Sequence, residues 1–388
     1  MPADVTCLMV ACNAEAYLTR AINSALSQVD RLILVDDGST DKSSDIAEKT
    51  GGSQVQIIRF ENNRGIGAAR QAAVNACKTD IACWLDADDI WCSQRISKLL
   101  PFIRAGADYV FDESELFSDI ANKKVKDLLF PDFIKQKDGL LYLFGRNYLP
   151  TIGVPMARLA ALKEINYNPG LRQAEDNGHL LKALSRNKSI RLSEGVSYRE
   201  YERPDSVSRD LEKQNFYLSQ SYTFIDQSGV EQRIVESGLS RTEQFVVLNL
   251  FFVRVKNWQA ILRTCASWSL GEGNTDCQVA WMQRFFSGVA EYHLGNVTIA
   301  SRFFESGIAI AELPELYNNL GVCQARLGKD GRPLFQRALA LKTGYIDAER
   351  NMTKNGQHLT NLPLRQLAYR GDYRNRLPKA KRIRSQAD

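Results

Sequence analysis

Apolar positions follow two regimes along this chain. In the first half they form short unbroken runs at residues 5–10, 32–35, 55–60 and 81–85, and polar or acidic side chains end each run. Helical patterns separate these runs. Leu18, Ile22, Ala25, Leu26 and Val29 recur at three- and four-residue spacing, and an alanine-rich stretch covers 68–76. A further helix is expected up to about Lys49, with Ser39 or Thr40 as its cap. Strands alternating with helices in this way predict βαβ units and a mostly parallel sheet. Beyond the fourth run the pattern gives a helix over 92–107 and a strand over 108–111. It then gives a helix over 155–165, a helix opening at Glu175-Asp176, and a strand over 190–201 that breaks at Arg203-Pro204-Asp205. Residues 113–150 carry no clear period.

The second regime is helical throughout. Gly288 and Leu294-Gly295 return 33 residues later as Gly321 and Leu327-Gly328, followed by Ala300 and Phe304 in one copy and Phe335 and Ala338 in the other. This spacing resembles tetratricopeptide repeats, which are paired helices with a period near 34 residues. The second copy is about two residues short and carries Pro333 at a position where a small residue is usual. A more degenerate pair is expected before them, over 241–255 and 259–270, with Asn257-Trp258 at its turn. The expected organisation is an α/β domain over 1–210, a connecting segment over 211–240, repeats over 241–360 and a basic tail over 361–388.

Composition narrows the partners. The 388 residues carry a net charge of +5, and seven Lys or Arg against the single acid Asp372 lie between Arg370 and Arg384. Without that stretch the chain is near neutral, which argues against a nucleic-acid binder and for local attraction to anionic lipid or an acidic glycan. No apolar run approaches the roughly 18–20 residues of a membrane span, and no signal peptide is expected at the start. The eight cysteines include no Cys-x-x-Cys pair, so a reducing cytosol without structural disulfides or a zinc knuckle is expected.

The chemistry sits at the ends of the apolar runs. Residues 81–85 stop at Asp86, Asp88 and Asp89. Carboxylates this close repel one another unless a cation lies between them, and Mg²⁺ or Mn²⁺ carrying a phosphorylated ligand suits such a set. Ala11-Cys12-Asn13 ends the first run and Asp36-Asp37-Gly38-Ser39 the second. Arg64 and Arg70 precede the fourth run, and Glu175-Asp176 opens a later helix.

Taken in this order over residues 4–210, these five groups resemble the inverting glycosyltransferases of family 2, with their GT-A fold. The resemblance implies a nucleotide-sugar donor, most simply a UDP-sugar. Asp37 would contact the base in a pocket completed by Ala11 and Asn13, with Asp36 beside it. Arg64 and Arg70 would serve the base edge or diphosphate. Asp86 would reach the ribose and Asp88 the divalent metal, while Asp89 would assist there or cap the next helix. It implies Asp176 as the catalytic base and Glu175 as an orienting acid. His179, one turn later, would either be solvated or reach the metal or acceptor. Tyr198-Arg199 and Ser206-Val207-Ser208-Arg209 would close the site over the diphosphate. The expected acceptor is a surface polysaccharide or lipid-linked glycan, assembled in the cytoplasm or at the inner membrane face. The alternatives are a protein or peptide acceptor bound by the repeats, or a non-catalytic interaction protein built around them.

Overall fold

Val5–Ala11 is almost wholly buried, as a strand must be when helices cover both faces of its sheet. This strand, β1, lies between β2 (Arg31–Asp36) and β4 (Ile81–Asp86), and β3 (Val55–Arg59) pairs with β2. All four are parallel. They are connected through α1 (Leu18–Leu26), α2 (Ser43–Gly51) and α3 (Ile66–Ala76). Leu18, Ala21, Ile22 and Ala25 form the buried stripe of α1. The chain crosses from one side of β1 to the other between β3 and β4. Such a reversal opens a crevice at the carboxyl ends of the strands. Ala11 stands opposite Asp36 and Val10 opposite Asp86, so three of the four runs deliver their polar ends to that edge.

The computed structural model describes residues 5–202, 211–268, 277–353 and 356–362. Its α/β part continues with β5 (Ile90–Trp91), α4 (Arg95–Arg104), β6 (Tyr109–Ser118), β7 (Lys123–Leu128), α5 (Asp132–Lys135), β8 (Met156–Arg158), α6 (Leu159–Ile165), α7 (Glu175–Ser185) and β9 (Ile190–Glu202). Across the sheet the order is β3-β2-β1-β4-β8-β6-β9-β5, with β7 beside β6.

Several expectations change here. The helix expected over 155–165 begins only at Leu159. Met156–Arg158 is instead an antiparallel strand that joins β4 to β6, with Met156 opposite both Cys83 and Val110. Its main chain is needed to complete the sheet, and that need outweighs the local helical pattern. The unassigned stretch begins inside β6, which runs to Ser118 and pairs with β7. Neither Ser39 nor Thr40 caps α2. That helix starts at Ser43, whose N–H is held by Asp41 Oδ1 at 2.9 Å. The expected connecting segment holds two helices, α8 (Leu211–Gln220) and α9 (Gln227–Val235).

The chain divides into two units. One takes the described residues up to Leu143 together with Asn147–Val230, and the other takes Phe144–Arg146 with those from Glu231 onward. The second unit contains α10 (Arg241–Arg254), α11 (Trp258–Ser267), α12 (Cys277–His293), α13 (Val297–Ile308), α14 (Pro314–Arg326), α15 (Arg332–Leu341) and α16 (Ile346–Thr353), each packed on the next. A Ser240–Glu243 capping box starts α10. The 33-residue periodicity has a packing cause. A Cβ on Gly288 would come within 2.6 Å of Phe304 Cε1, and one on Gly321 within 2.5 Å of Phe335 Cε1. Each glycine therefore admits the ring of the following helix. No helix among the described residues is long and apolar enough to cross a membrane.

Candidate functional site

The loops after β1 and β2 are knitted together by their polar side chains. Asp36 is fully buried. Its Oδ1 accepts the Ser39 N–H at 2.8 Å and its Oδ2 accepts the Ser44 hydroxyl, so it shapes the loop from beneath. Asp37 holds the loop before α3, accepting from Arg64 N at 2.7 Å and Gly65 N at 2.9 Å. Gly38 has a positive φ of 73°, and a Cβ there would meet Asn63 N at 2.6 Å. Asn13 receives the Thr40 N–H on Oδ1 at 2.9 Å, while its own N–H reaches Ser39 Oγ at 3.0 Å. Ala11 is buried at the floor and Asn13 is exposed at the rim. The exposed Arg64 guanidinium lies 4.5 Å from the Phe60 ring centroid.

Arg70 is the hub of the second half of the site. It is 3% exposed, so its charge has left water and must be met by acceptors. Nε donates to Glu175 Oε1 at 2.9 Å, Nη1 to the Gly153 carbonyl at 2.6 Å and Nη2 to Asp86 Oδ1 at 3.1 Å. The guanidinium also lies 4.6 Å from the Trp84 ring centroid. Asp86 and Glu175 hold it firmly in its charged form. Asp86 remains half-exposed and faces outward from this pair. Glu175 is buried. Desolvation, reinforced by Asp176 and opposed by Arg70, pushes it up to about 7.

Asp176 is half-buried beside Glu175, and its Oδ1 accepts its neighbour's N–H, from Asn177, at 2.6 Å. A Cβ on Gly153 would sit tightly against Arg70 Nη2 at 3.3 Å and in ordinary contact with Asp176 Oδ2 at 3.5 Å. The residue before this acid pair, Ala174, sits in the left-handed region at φ 56°. For a residue with a Cβ that conformation costs roughly 1–2 kcal/mol, and the surrounding packing sustains it. His179 is neither solvated nor aimed at the acids. It is buried, shares a 2.9 Å hydrogen bond with the Tyr109 hydroxyl and stacks on Tyr167 at 4.2 Å. Burial, helped by Arg70 and Lys182, pushes it down to about 3 and keeps the ring neutral.

The acids after β4 separate into different environments. Asp88 lies in the loop whose main chain is tied to α1, through a 2.8 Å bond from Arg20 Nη2 to its carbonyl. Asp89 is buried, taking the Tyr198 hydroxyl on Oδ2 at 2.9 Å and the Tyr201 N–H on Oδ1 at 2.8 Å. Burial and the nearby Asp88 and Asp86 charges raise it well above the usual carboxylate range. Asp89 caps no helix, because α4 begins at Arg95 behind Gln94. Among the described residues no three His, Cys, Asp or Glu side chains are arranged to hold a metal. Half-exposed Asp86 and the adjacent Asp88 are nonetheless hard oxygen donors at a strand end. That set suits a cation which completes its shell with phosphate and water.

The buried Arg95–Asp112 pair, 2.9 Å apart, escaped the sequence reading, as did two contacts: the bond from Arg70 to the Gly153 carbonyl and the bond by which Tyr198, expected over the diphosphate, gives its hydroxyl to Asp89. Arg95 also donates to the carbonyls of Trp84 and Val154, which binds β4, β6 and the 151–154 turn behind the site. None of these carries a local signal, because each depends on which segments become neighbours. Arg199 pairs with Glu115 at 2.6 Å, and Ser206-Val207-Ser208-Arg209 lie outside the described residues.

The model of glycosyl transferase family 2 matches residues 6–163 of this chain. Succinoglycan biosynthesis protein ExoU of Rhizobium meliloti is 29% identical over 53% of this chain and 64% of its own length. ExoO of the same organism is 26% identical over 54% of this chain and 63% of its own length. The chain thus spans just under two thirds of these two relatives. A beta-1,3-glucosyltransferase of Escherichia coli, WfaP, described as acting from UDP-Glc on alpha-D-GlcNAc-diphosphoundecaprenol, is 31% identical over 26% of this chain and 41% of its own length. Among solved structures, Staphylococcus aureus TarS 1–349 in complex with UDP-GlcNAc aligns over 84% of this chain and 92% of that one, with a TM-score of 0.49 and 18% identity.

Proposed function

We propose that this chain transfers a sugar from a nucleotide-sugar donor, a UDP-sugar, to a hydroxyl acceptor with inversion at the anomeric carbon. The acceptor we assign is a growing surface polysaccharide or lipid-linked glycan, handled at the cytoplasmic face of a membrane. The observation that carries this reading is the Arg70 bridge. Through it the acid ending β4, Asp86, and the first acid of α7, Glu175, share one guanidinium, although these partners lie 16 and 105 positions away in sequence. Donor-binding and base-bearing segments are thereby held in one place. The relatives that act in succinoglycan biosynthesis and on a diphosphoundecaprenol-linked sugar support the acceptor class.

In this reading Asn13, Ala11 and the Asp37 loop receive the base, with Asp36 fixing that loop and Arg64 at its edge. Asp86 meets the ribose. Asp88 would hold the divalent metal, and Asp89 supports it from beneath through Tyr198 and Tyr201. The metal, when bound, supplies positive charge to the departing diphosphate. Asp176 takes the proton from the acceptor hydroxyl on the face opposite the diphosphate. Glu175 and Arg70 keep Asp176 and Asp86 at fixed separation. The helical array of the second unit is proposed as a tetratricopeptide-like recruitment module.

The test is turnover of UDP-sugars with Mn²⁺ or Mg²⁺, followed by nucleotide release, together with UDP binding by calorimetry. Asp176→Asn is expected to lower kcat by about 10²–10⁴, the usual worth of a general base, with UDP affinity retained. A variant that turns over within about threefold of the parent would remove Asp176 from this role. An unsubstituted protein that neither binds UDP nor releases it from any donor would remove the activity itself.

A further inference from the structure

Arg20 on α1 has no part in the roles assigned above, yet its guanidinium grips the loop that follows β4. Nη2 donates to the Asp88 carbonyl at 2.8 Å. Asp119, in the turn between β6 and β7, takes Nη1 on Oδ1 at 2.8 Å and Nη2 on Oδ2 at 3.2 Å. A two-pronged pairing of this kind fixes the plane of the guanidinium as well as its position. The group also lies 3.6 Å from the Tyr201 ring centroid and 5.1 Å from that of Tyr17. Its Nε is buried and has no hydrogen-bond partner among the described residues. A buried donor left unsatisfied is unfavourable, and the bonds to Asp119 and Asp88 offset that loss.

The loop is held from its other side as well. Asp89 takes the Tyr198 hydroxyl and the Tyr201 N–H on its carboxylate, and its own N–H closes on the Asp86 carbonyl at 3.1 Å. Tyr201 therefore serves twice. Its main chain holds Asp89, and its ring, itself 5.3 Å from that of Phe117, backs the guanidinium that holds Asp88. The bond from Arg20 to the Asp88 carbonyl fixes the main chain from which the Asp88 side chain departs. Asp119 meanwhile neutralises Arg20. A cation arriving at the end of β4 meets an ion pair and not an uncompensated positive charge, which would repel it. Lysine could not replace Arg20 here, because a single ammonium cannot span the two prongs and lie flat on a ring. Groups that orient a metal ligand from behind are worth about 10–100-fold in metal affinity.

We propose that Arg20 is the positioning residue of the metal-bearing loop. Pinned by Asp119 and the Tyr201 ring, it sets the Asp88 main chain so that the Asp88 carboxylate is presented to a divalent cation carrying the donor diphosphate. Arg20 touches neither the metal nor the nucleotide and acts through Asp88. Through Asp119 the turn between β6 and β7 becomes part of the same support. The proposal rests on the sugar-transfer reading, in which Asp88 holds the metal.

The test uses the full chain, with UDP and Mn²⁺ as probes. Calorimetry measures UDP affinity in EDTA and again with Mn²⁺, and the ratio of the two reads metal coordination at the loop. Arg20→Gln is expected to leave the affinity in EDTA within about twofold and to cut the Mn²⁺ enhancement about tenfold or abolish it. Arg20→Lys should not restore it. Asp119→Asn should act in the same direction, and the double variant should be no worse than Arg20→Gln, because Asp119 acts through Arg20. Full enhancement in Arg20→Gln overturns the proposal, and so do additive losses in the double variant. Loss of affinity in EDTA overturns it too, since Arg20 would then hold the nucleotide or the fold. Rescue by lysine overturns it by making charge, and not placement, the cause. Failure of the underlying reading shows differently, in the unsubstituted chain. If that chain binds no UDP, or binds it equally with and without Mn²⁺, the metal assignment itself fails and the proposal falls with it.

Discussion

Burial and the adjacent Asp176 carboxylate push Glu175 up to about 7, against the pull of Arg70. A carboxyl that is harder to ionise in the folded chain than in the unfolded one holds a proton between the two values that the unfolded chain has released. Its contribution to stability is complete below the ordinary glutamate range and is lost as pH rises through about 7. Glu175→Gln should therefore flatten the fall in urea midpoint between pH 5 and pH 8. An unchanged slope would show that Glu175 titrates normally. That Glu175 and Asp176 open α7 was legible from the helical pattern that follows them. The environment of Glu175 was not, because Arg70, itself donating to the Gly153 carbonyl, reaches it from a distant segment. His179 makes the same point in reverse. Its spacing on α7 suggested water or a ligand, and the packing of Tyr109 and Tyr167 excluded both.

The strands at the heart of the sheet were readable because a strand buried on both faces must be apolar along its length. β8 was not, since three residues carry no period and their pairing with β4 and β6 is set from outside. The first turn of α3 illustrates a constraint at the same scale. A Cβ on Gly67 would lie 2.2 Å from the Asn168 carbonyl oxygen and 2.8 Å from that of Leu171. Helix propensity favours Gly67→Ala by up to about 1 kcal/mol, but a collision with backbone costs about 1–3 kcal/mol. The collision should win, giving a net loss of stability in thermal or urea unfolding. A gain would mean that the 168–171 turn yields freely. In the second unit, Gly288 and Gly321 produce the visible repeat for the same reason: each admits the following helix's phenylalanine.

Across the whole molecule, two features can be tested against their physical cause. The Arg95–Asp112 pair is fully buried and ties together β4, β6, α4 and the 151–154 turn. Arg95→Leu leaves the Asp112 charge buried without its partner, which costs about 3–5 kcal/mol. Urea unfolding followed by tryptophan fluorescence should show a loss of that order, and a loss under about 1 kcal/mol would indicate that water reaches Asp112. The basic stretch between Arg370 and Arg384 lies outside the described residues. Its seven cationic side chains predict binding of the full chain to anionic vesicles at low salt, at about 1 kcal/mol per charge near the surface. Replacing them with glutamine should abolish co-sedimentation, and salt-insensitive binding would point to another surface.

The sequence alone determined the two regimes of the chain, the strand ends that carry acids and the glycine–phenylalanine period of the helices. These follow from local rules: a buried strand is apolar, a strand end carries the polar group, and a close helix contact needs glycine. Tertiary structure decided the rest. It buried Arg70 and so made it a bridge between Asp86 and Glu175, raised Glu175, neutralised His179, turned Asp89 inward to Tyr198 and tied Arg20 to the Asp88 carbonyl. A side chain's charge state and partners depend on what surrounds it in space, and spacing along the chain does not record that.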